Sequence, residues 1–134
     1  MYIQLLLSTC LANFCIFVFY HTMKIFIPGN VPSSKNSKRW TGKMLISSKT
    51  TMKYIKNTQY DYINNKNKFK SMIEGLEKPY IISFKFIRGS RHKFDYINPC
   101  QTVQDLMVKY EWLDDDSCKD MIPVFEKYEY NKEK

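Results

Sequence analysis

The residues best placed to do chemistry are aspartates in the second half of the chain: Asp95, Asp105, and the run Asp114, Asp115 and Asp116. Clustered carboxylates suit a hard divalent cation. Mg²⁺ takes oxygen ligands and keeps several of its waters, and beside a phosphodiester such an ion activates a water and relieves charge on the phosphate. The alternative is structural: Asp95 favours a helix dipole, and the three successive aspartates form a solvated loop.

Charge distribution sharpens the choice. The 134 residues carry a net charge of +8, with 21 Lys and Arg against 13 Asp and Glu. Residues 24–60 hold eight basic side chains and no acidic one, while residues 61–134 are balanced. The excess therefore sits in one arm. An anionic partner is expected, either nucleic acid or a membrane surface. A basic arm to hold phosphates beside an acidic cluster to hold a cation is the polarity of a metal-dependent nucleic-acid enzyme, because a membrane surface has no need of the second cluster. The 44% hydrophobic and 16% aromatic content excludes a disordered chain. Four Gly and five Pro exclude collagen-like and low-complexity classes.

The elements that must position these groups follow from periodicity. Asn98 is an N-cap candidate, with Pro99 at the first helical position and Gln101 at the third. Val103, Leu106, Met107 and Tyr110 make a buried stripe, and Asn98, Thr102, Asp105 and Lys109 the polar one. Residues 80–87 read as the best strand, and residues 121–130 as a last strand that Pro123 confines to an edge. Ser47 or Ser48 caps a helix over residues 49–64, with Met52, Ile55, Tyr62 and Ile63 inward. Asn64 and Asn65 break it, and a second piece over residues 66–73 stops at Gly75. Residues 24–28 read as a first strand, residues 29–43 as a basic loop, and residues 44–46 as a short strand. The fold class expected is α/β (α+β): one small domain, a mixed sheet with helices packed on it.

Residues 1–22 hold no charged side chain besides a single His. A secretory signal would need a basic leader and a small-residue cleavage site. A membrane anchor is allowed by length and weakened by Gln4, Ser8, Thr9 and Asn13. The reading adopted is that translation starts at Met23, which leaves residues 1–22 as an apolar extension outside a domain of residues 23–134. Cys100 and Cys118 have no partner at zinc-ligand spacing, so neither a zinc site nor a disulfide frame is readable, and a cytoplasmic location is expected.

Three segments together resemble the RusA family of Holliday junction resolvases, small endodeoxyribonucleases borne by phages. They are the opening strand and basic loop IPGNVPSSKNSKR (residues 27–39), the segment RHKFDYINPCQ (residues 91–101) in the place of the family's Asp-x-Asp-Asn-x-x-Lys motif, and QDLMVKYEWLDDD (residues 104–116). The resemblance implies a Mg²⁺-dependent (or Mn²⁺-dependent) nuclease that cuts four-way DNA junctions in recombination and repair, acting as a homodimer. Carried over, Asp95 is the first motif aspartate, Asn98 the motif asparagine, Asp105 the helical aspartate, and Asp115 and Asp116 the closing pair. The implied catalytic set is Asp95, Asp115 and Asp116. The implied metal set is Asp95, Asp116 and Asp115, with Asp105 as a substitute ligand. Lys35, Lys38, Arg39, Lys43, Arg91, Lys93, Asn98 and Gln101 would contact DNA. Trp40 and Phe94, flanked by basic residues, are candidates to stack at the junction. Two positions depart: Ile97 replaces the second motif aspartate, and Gln101 the lysine. The alternative is therefore a weakened or inactive protein that binds branched DNA without cutting it.

Overall fold

The computed structural model describes residues 1–6, 8–11, 14–17, 23–33 and 38–132. Along the chain run β1 (Tyr2–Leu6), β2 (Ser8–Leu11), β3 (Phe14–Phe17), β4 (Lys24–Phe26), β5 (Lys38–Trp40), β6 (Leu45–Ser47), α1 (Lys49–Ile73), β7 (Tyr80–Lys85), β8 (Ile87–Arg88), α2 (Ile97–Lys109), β9 (Met121–Phe125) and β10 (Glu129–Tyr130). The main sheet has the order β4-β1-β7-β9. Its first two pairings are antiparallel and β7 with β9 is parallel, so the sheet is mixed and the domain is α+β. Three two-stranded pairs complete it: β2 with β3, β5 with β6, and β8 with β10.

The strand at the heart of this sheet corrects the expectation that residues 24–28 open it. β1 lies between β4 and β7, with Ile3 opposite both Ile25 and Phe84. Ile3, Ile25 and Phe84 are all fully buried. The Met1 nitrogen donates to the Ile27 carbonyl at 3.0 Å, extending the pairing beyond the strand. An uncharged segment can be buried by pairing on both edges, and charge and length, which set the sequence reading, do not report that. Among the described residues no helix is long and apolar enough to cross a membrane.

Helix α1 is one unbroken element of 25 residues, where two pieces were expected. Asn65 does not break it, because its side-chain amide donates to the Asp61 carbonyl at 2.8 Å and leaves the backbone ladder intact. The start is as expected: the Ser48 hydroxyl accepts the Thr51 N–H at 3.2 Å. Gly75, at φ +77°, follows the C-terminal end, where the left-handed region suits glycine. The buried stripe is Thr51, Tyr54, Thr58, Tyr62 and Phe69, rotated from the predicted one. Met52 and Ile63 face solvent. This polar-looking stripe tolerates burial because its hydroxyls are satisfied. Thr58 donates to the Tyr54 carbonyl at 2.9 Å, and the Tyr54 and Tyr62 hydroxyls meet at 3.4 Å.

Helix α2 buries Val103, Leu106 and Met107 as its periodicity requires. Its exit is a left-handed C-cap. Glu111 sits at φ 62°, the Glu111 N–H donates to the Val108 carbonyl at 2.9 Å, and the Trp112 N–H donates to Met107 at 2.7 Å. That turn drives Trp112 into the core. Its ring stacks on Phe69 at 5.1 Å between centroids, and its indole nitrogen donates to the Tyr62 carbonyl at 2.8 Å. The chain is thereby anchored on α1 just before the acidic run begins. At the far side of the sheet β9 is an edge strand, which suits Pro123.

Candidate functional site

The site is built where the loop over residues 28–33 crosses the polar face of α2. Gly29, at φ +94°, brings this loop against α1; a Cβ there would stand 3.4 Å from the Tyr54 ring. Pro32 is buried, and its carbonyl accepts the Thr102 hydroxyl at 2.9 Å. Thr102, expected on a solvated stripe, is thus buried under the loop. The loop, β8 and the start of α2 enclose a cleft of about 310 Å³, lined by Asn30, Ser33, Arg88, Lys93, Asp95 and Asn98 among others.

Asp95 stands in this cleft and closes the first turn of α2. One carboxylate oxygen accepts the Asn98 N–H at 2.9 Å, and the other accepts the Asn98 side-chain amide. The helix begins at Ile97 with Tyr96 at the N-cap position making no side-chain bond, so the capping bond comes from Asp95, one residue earlier, and Asn98 lies inside the first turn. The spacing allowed either, since Asp and Asn are both good caps and Pro99 is tolerated anywhere in the first turn. Ile97 is 61% exposed and contributes no ligand atom. Gln101 is exposed about one turn further along α2.

Asp105 lies on α2 eight residues beyond Ile97, about 12 Å along the helix axis. Partial burial pushes its carboxyl above the usual carboxylate range, the nearby Asp116 charge pushes it the same way, and Lys38 opposes both. Three expected groups therefore share one neighbourhood: Asp105, Asp116 and Lys38. Asp115 is next to them in sequence, and its carboxylate accepts the Asp116 N–H at 2.9 Å. Asp114 turns away. It pairs with Lys78 at 2.6 Å, and Lys78 also holds Asp120 at 2.5 Å. These contacts hold the Asp114 and Asp120 carboxyls below the usual range.

Among the described residues no group of three or more His, Cys, Asp or Glu is placed to hold a metal ion. Asp95 is separated from Asp105 by two turns of helix and committed to the helix end. Asp105 and Asp116 are near enough for the charge of one to act on the other, and a Mg²⁺ that keeps most of its waters needs no more than one or two carboxylates.

The basic candidates divide by position. Lys38, Arg39 and Lys43 stand exposed on the β5–β6 hairpin, part of what was read as loop. Lys93 lines the cleft, while Arg91 lies over the Tyr130 ring at 4.6 Å. Lys35 lies outside the described residues. Phe94 is held in an aromatic cluster, 5.0 Å from Tyr96 and 5.3 Å from Tyr128, and serves packing. Trp40 is 65% exposed. Arg88, absent from the predicted set, lines the cleft with its guanidinium 4.1 Å above Phe94 and donates to the His92 carbonyl at 3.0 Å. Its place in the basic turn after the best strand was the signal available. The Cys100 thiol, pushed up to about 12 by burial, is unsuited to nucleophilic work, and Cys118 is exposed.

Comparison of the chain with protein-family models, curated proteins and solved structures gives no match.

Proposed function

We propose that this protein is a Mg²⁺-dependent endodeoxyribonuclease of RusA-like fold that acts as a homodimer on four-way DNA junctions. The single observation that carries the reading is the juxtaposition of Asp105, Asp116 and Lys38. Asp105 is raised first by its partial burial and then by the Asp116 charge, and Lys38, from the most basic arm of the chain, acts on it in the opposite sense. A pair of like charges so placed is relieved by a cation, and a neighbouring lysine suits the phosphate that would approach it.

In this reading Asp105 and Asp116 hold the ion, with Asp115 as the adjacent donor. The ion when bound supplies a nucleophilic water and charge relief at the scissile phosphate. Lys38, Arg39 and Lys43 grip the DNA backbone from the hairpin, and Arg88 and Lys93 grip it from the cleft. Those contacts are sequence-independent, and they fix where the phosphate lies relative to the two carboxylates. Asp95 is a positioning residue here: by capping α2 it sets the register of the helix that carries Asp105.

A second reading is favoured by one observation, the engagement of Asp95 with Asn98 in place of a third carboxylate at the ion. In it the protein binds junctions and does not cut them. Incubating the full chain with a labelled four-way junction and Mg²⁺ separates the two: nicked product supports the nuclease, and bound but intact DNA supports the binding protein.

A further inference from the structure

The β5–β6 hairpin presents an unusual surface. β5 and β6 pair antiparallel, with Trp40 directly opposite Leu45, Arg39 opposite Ile46 and Lys38 opposite Ser47. Cross-strand partners share a face, so Trp40 and Leu45 form one platform, flanked on the same face by Lys38 and Ser47. Trp40 is 65% exposed, Leu45 63% and Met44 61%. Only Ile46, on the other face, is partly covered. The tip is held in shape by three contacts between Thr41 and Met44: the Thr41 N–H at 3.0 Å and its hydroxyl at 3.1 Å reach the Met44 carbonyl, and the Met44 N–H lies 3.3 Å from the Thr41 hydroxyl. A rigid tip that leaves a tryptophan, a leucine and a methionine in water is costly unless something covers it.

Resting on the proposed nuclease reading, we infer that this hairpin is a stacking wedge, with Trp40 laid against an unpaired or unstacked base at the branch point of the junction. Charge complementarity selects the occupant. Lys38, Arg39 and Lys43 lie on the hairpin with no acidic residue between them, which suits a polyanion. An aromatic face between cations suits a base, whose π-face is accessible only where pairing is interrupted.

Intrinsic fluorescence tests this directly, because the chain has two tryptophans and Trp112 is fully buried. The full chain is titrated with a synthetic four-way junction, a fully paired duplex of the same sequence, and vesicles of phosphatidylserine and phosphatidylcholine. Binding is followed in parallel by anisotropy of labelled DNA. The inference expects the emission to be quenched by the junction in step with binding, less by the duplex, and the quench to vanish in Trp40→Phe measured through Trp112. Trp40→Ala is expected to weaken junction binding by about 5- to 100-fold while changing duplex binding little. Junction binding with unchanged emission overturns the wedge and leaves the nuclease reading standing, as does an equal loss on both DNAs in Trp40→Ala. Absence of binding to either DNA overturns the nuclease reading and the wedge with it. A blue shift on the vesicles without a response to DNA assigns the hairpin to a lipid surface and overturns the wedge.

Discussion

Asp95 and Asn98 close on each other at the start of α2, the carboxylate taking both the backbone N–H at 2.9 Å and the side-chain amide of the same residue. This pairing explains how a motif that resembles a metal site can carry a structural duty. It separates two roles for Asp95 that different substitutions distinguish. Asp95→Ala removes the cap and is expected to lower stability by about 1 kcal/mol. Asp95→Asn keeps an acceptor and is expected to cost less. Urea midpoints check the first difference. Cleavage rates check the second, since an Asp95 that binds metal would lose activity in Asp95→Asn with stability preserved.

Removal of residues 1–22 takes out β1 from between β4 and β7. It deletes the fully buried Ile3 and the strand that joins β4 to the sheet. A chain starting at Met23 is therefore expected to lose cooperative unfolding, read as a melting curve by circular dichroism. A sharp transition close to that of the full chain would show that β1 is dispensable.

Lys78 bridges Asp114 and Asp120 and holds both carboxyls below their ordinary value of 3.8. Carboxyls depressed in the folded state stabilise it above the unfolded value, and that contribution is lost as pH falls through the folded values. The acid limb of stability below about pH 4 is thus expected to be flatter in Lys78→Gln than in the wild type. Urea unfolding between pH 2 and 6 measures it, and superimposable acid limbs would contradict it.

Glu111 occupies the left-handed position at φ 62°. A non-glycine residue there costs about 1 kcal/mol. Its contact with Lys66 is an exposed ion pair, which solvent screens. Glu111→Gly is therefore expected to leave stability unchanged or raise it by up to about 1 kcal/mol. A clear loss in the urea midpoint would mean that the Lys66 pair matters more than the backbone.

Much of this architecture was legible from local rules. The Val103, Leu106 and Met107 stripe, the Ser48 cap, the glycine after α1 and the edge position forced by Pro123 each follow from neighbours a few residues apart. The rest depends on distant partners. β1 is defined by Ile25 and Phe84, far from it in sequence. Along α1, Tyr62 is inward as expected and Phe69 joins it, both packed on Trp112, whose indole reaches the Tyr62 carbonyl across 50 residues, while Met52 and Ile63 are left to solvent. The site shows the same division. Asp105 could be placed on the polar stripe of α2 in advance. That Lys78 would draw Asp114 away, and that Asp95 would be taken up by Asn98, are outcomes of long-range and competing hydrogen bonds that spacing does not encode.

The most direct test is cleavage of a labelled four-way junction by the full chain in Mg²⁺ or Mn²⁺, with Asp105→Asn and Asp116→Asn beside it. The account predicts nicks close to the branch point, lost in both variants while their DNA binding and melting temperatures are retained. Junctions that remain intact across the metal series, although bound by the wild-type protein, would contradict it.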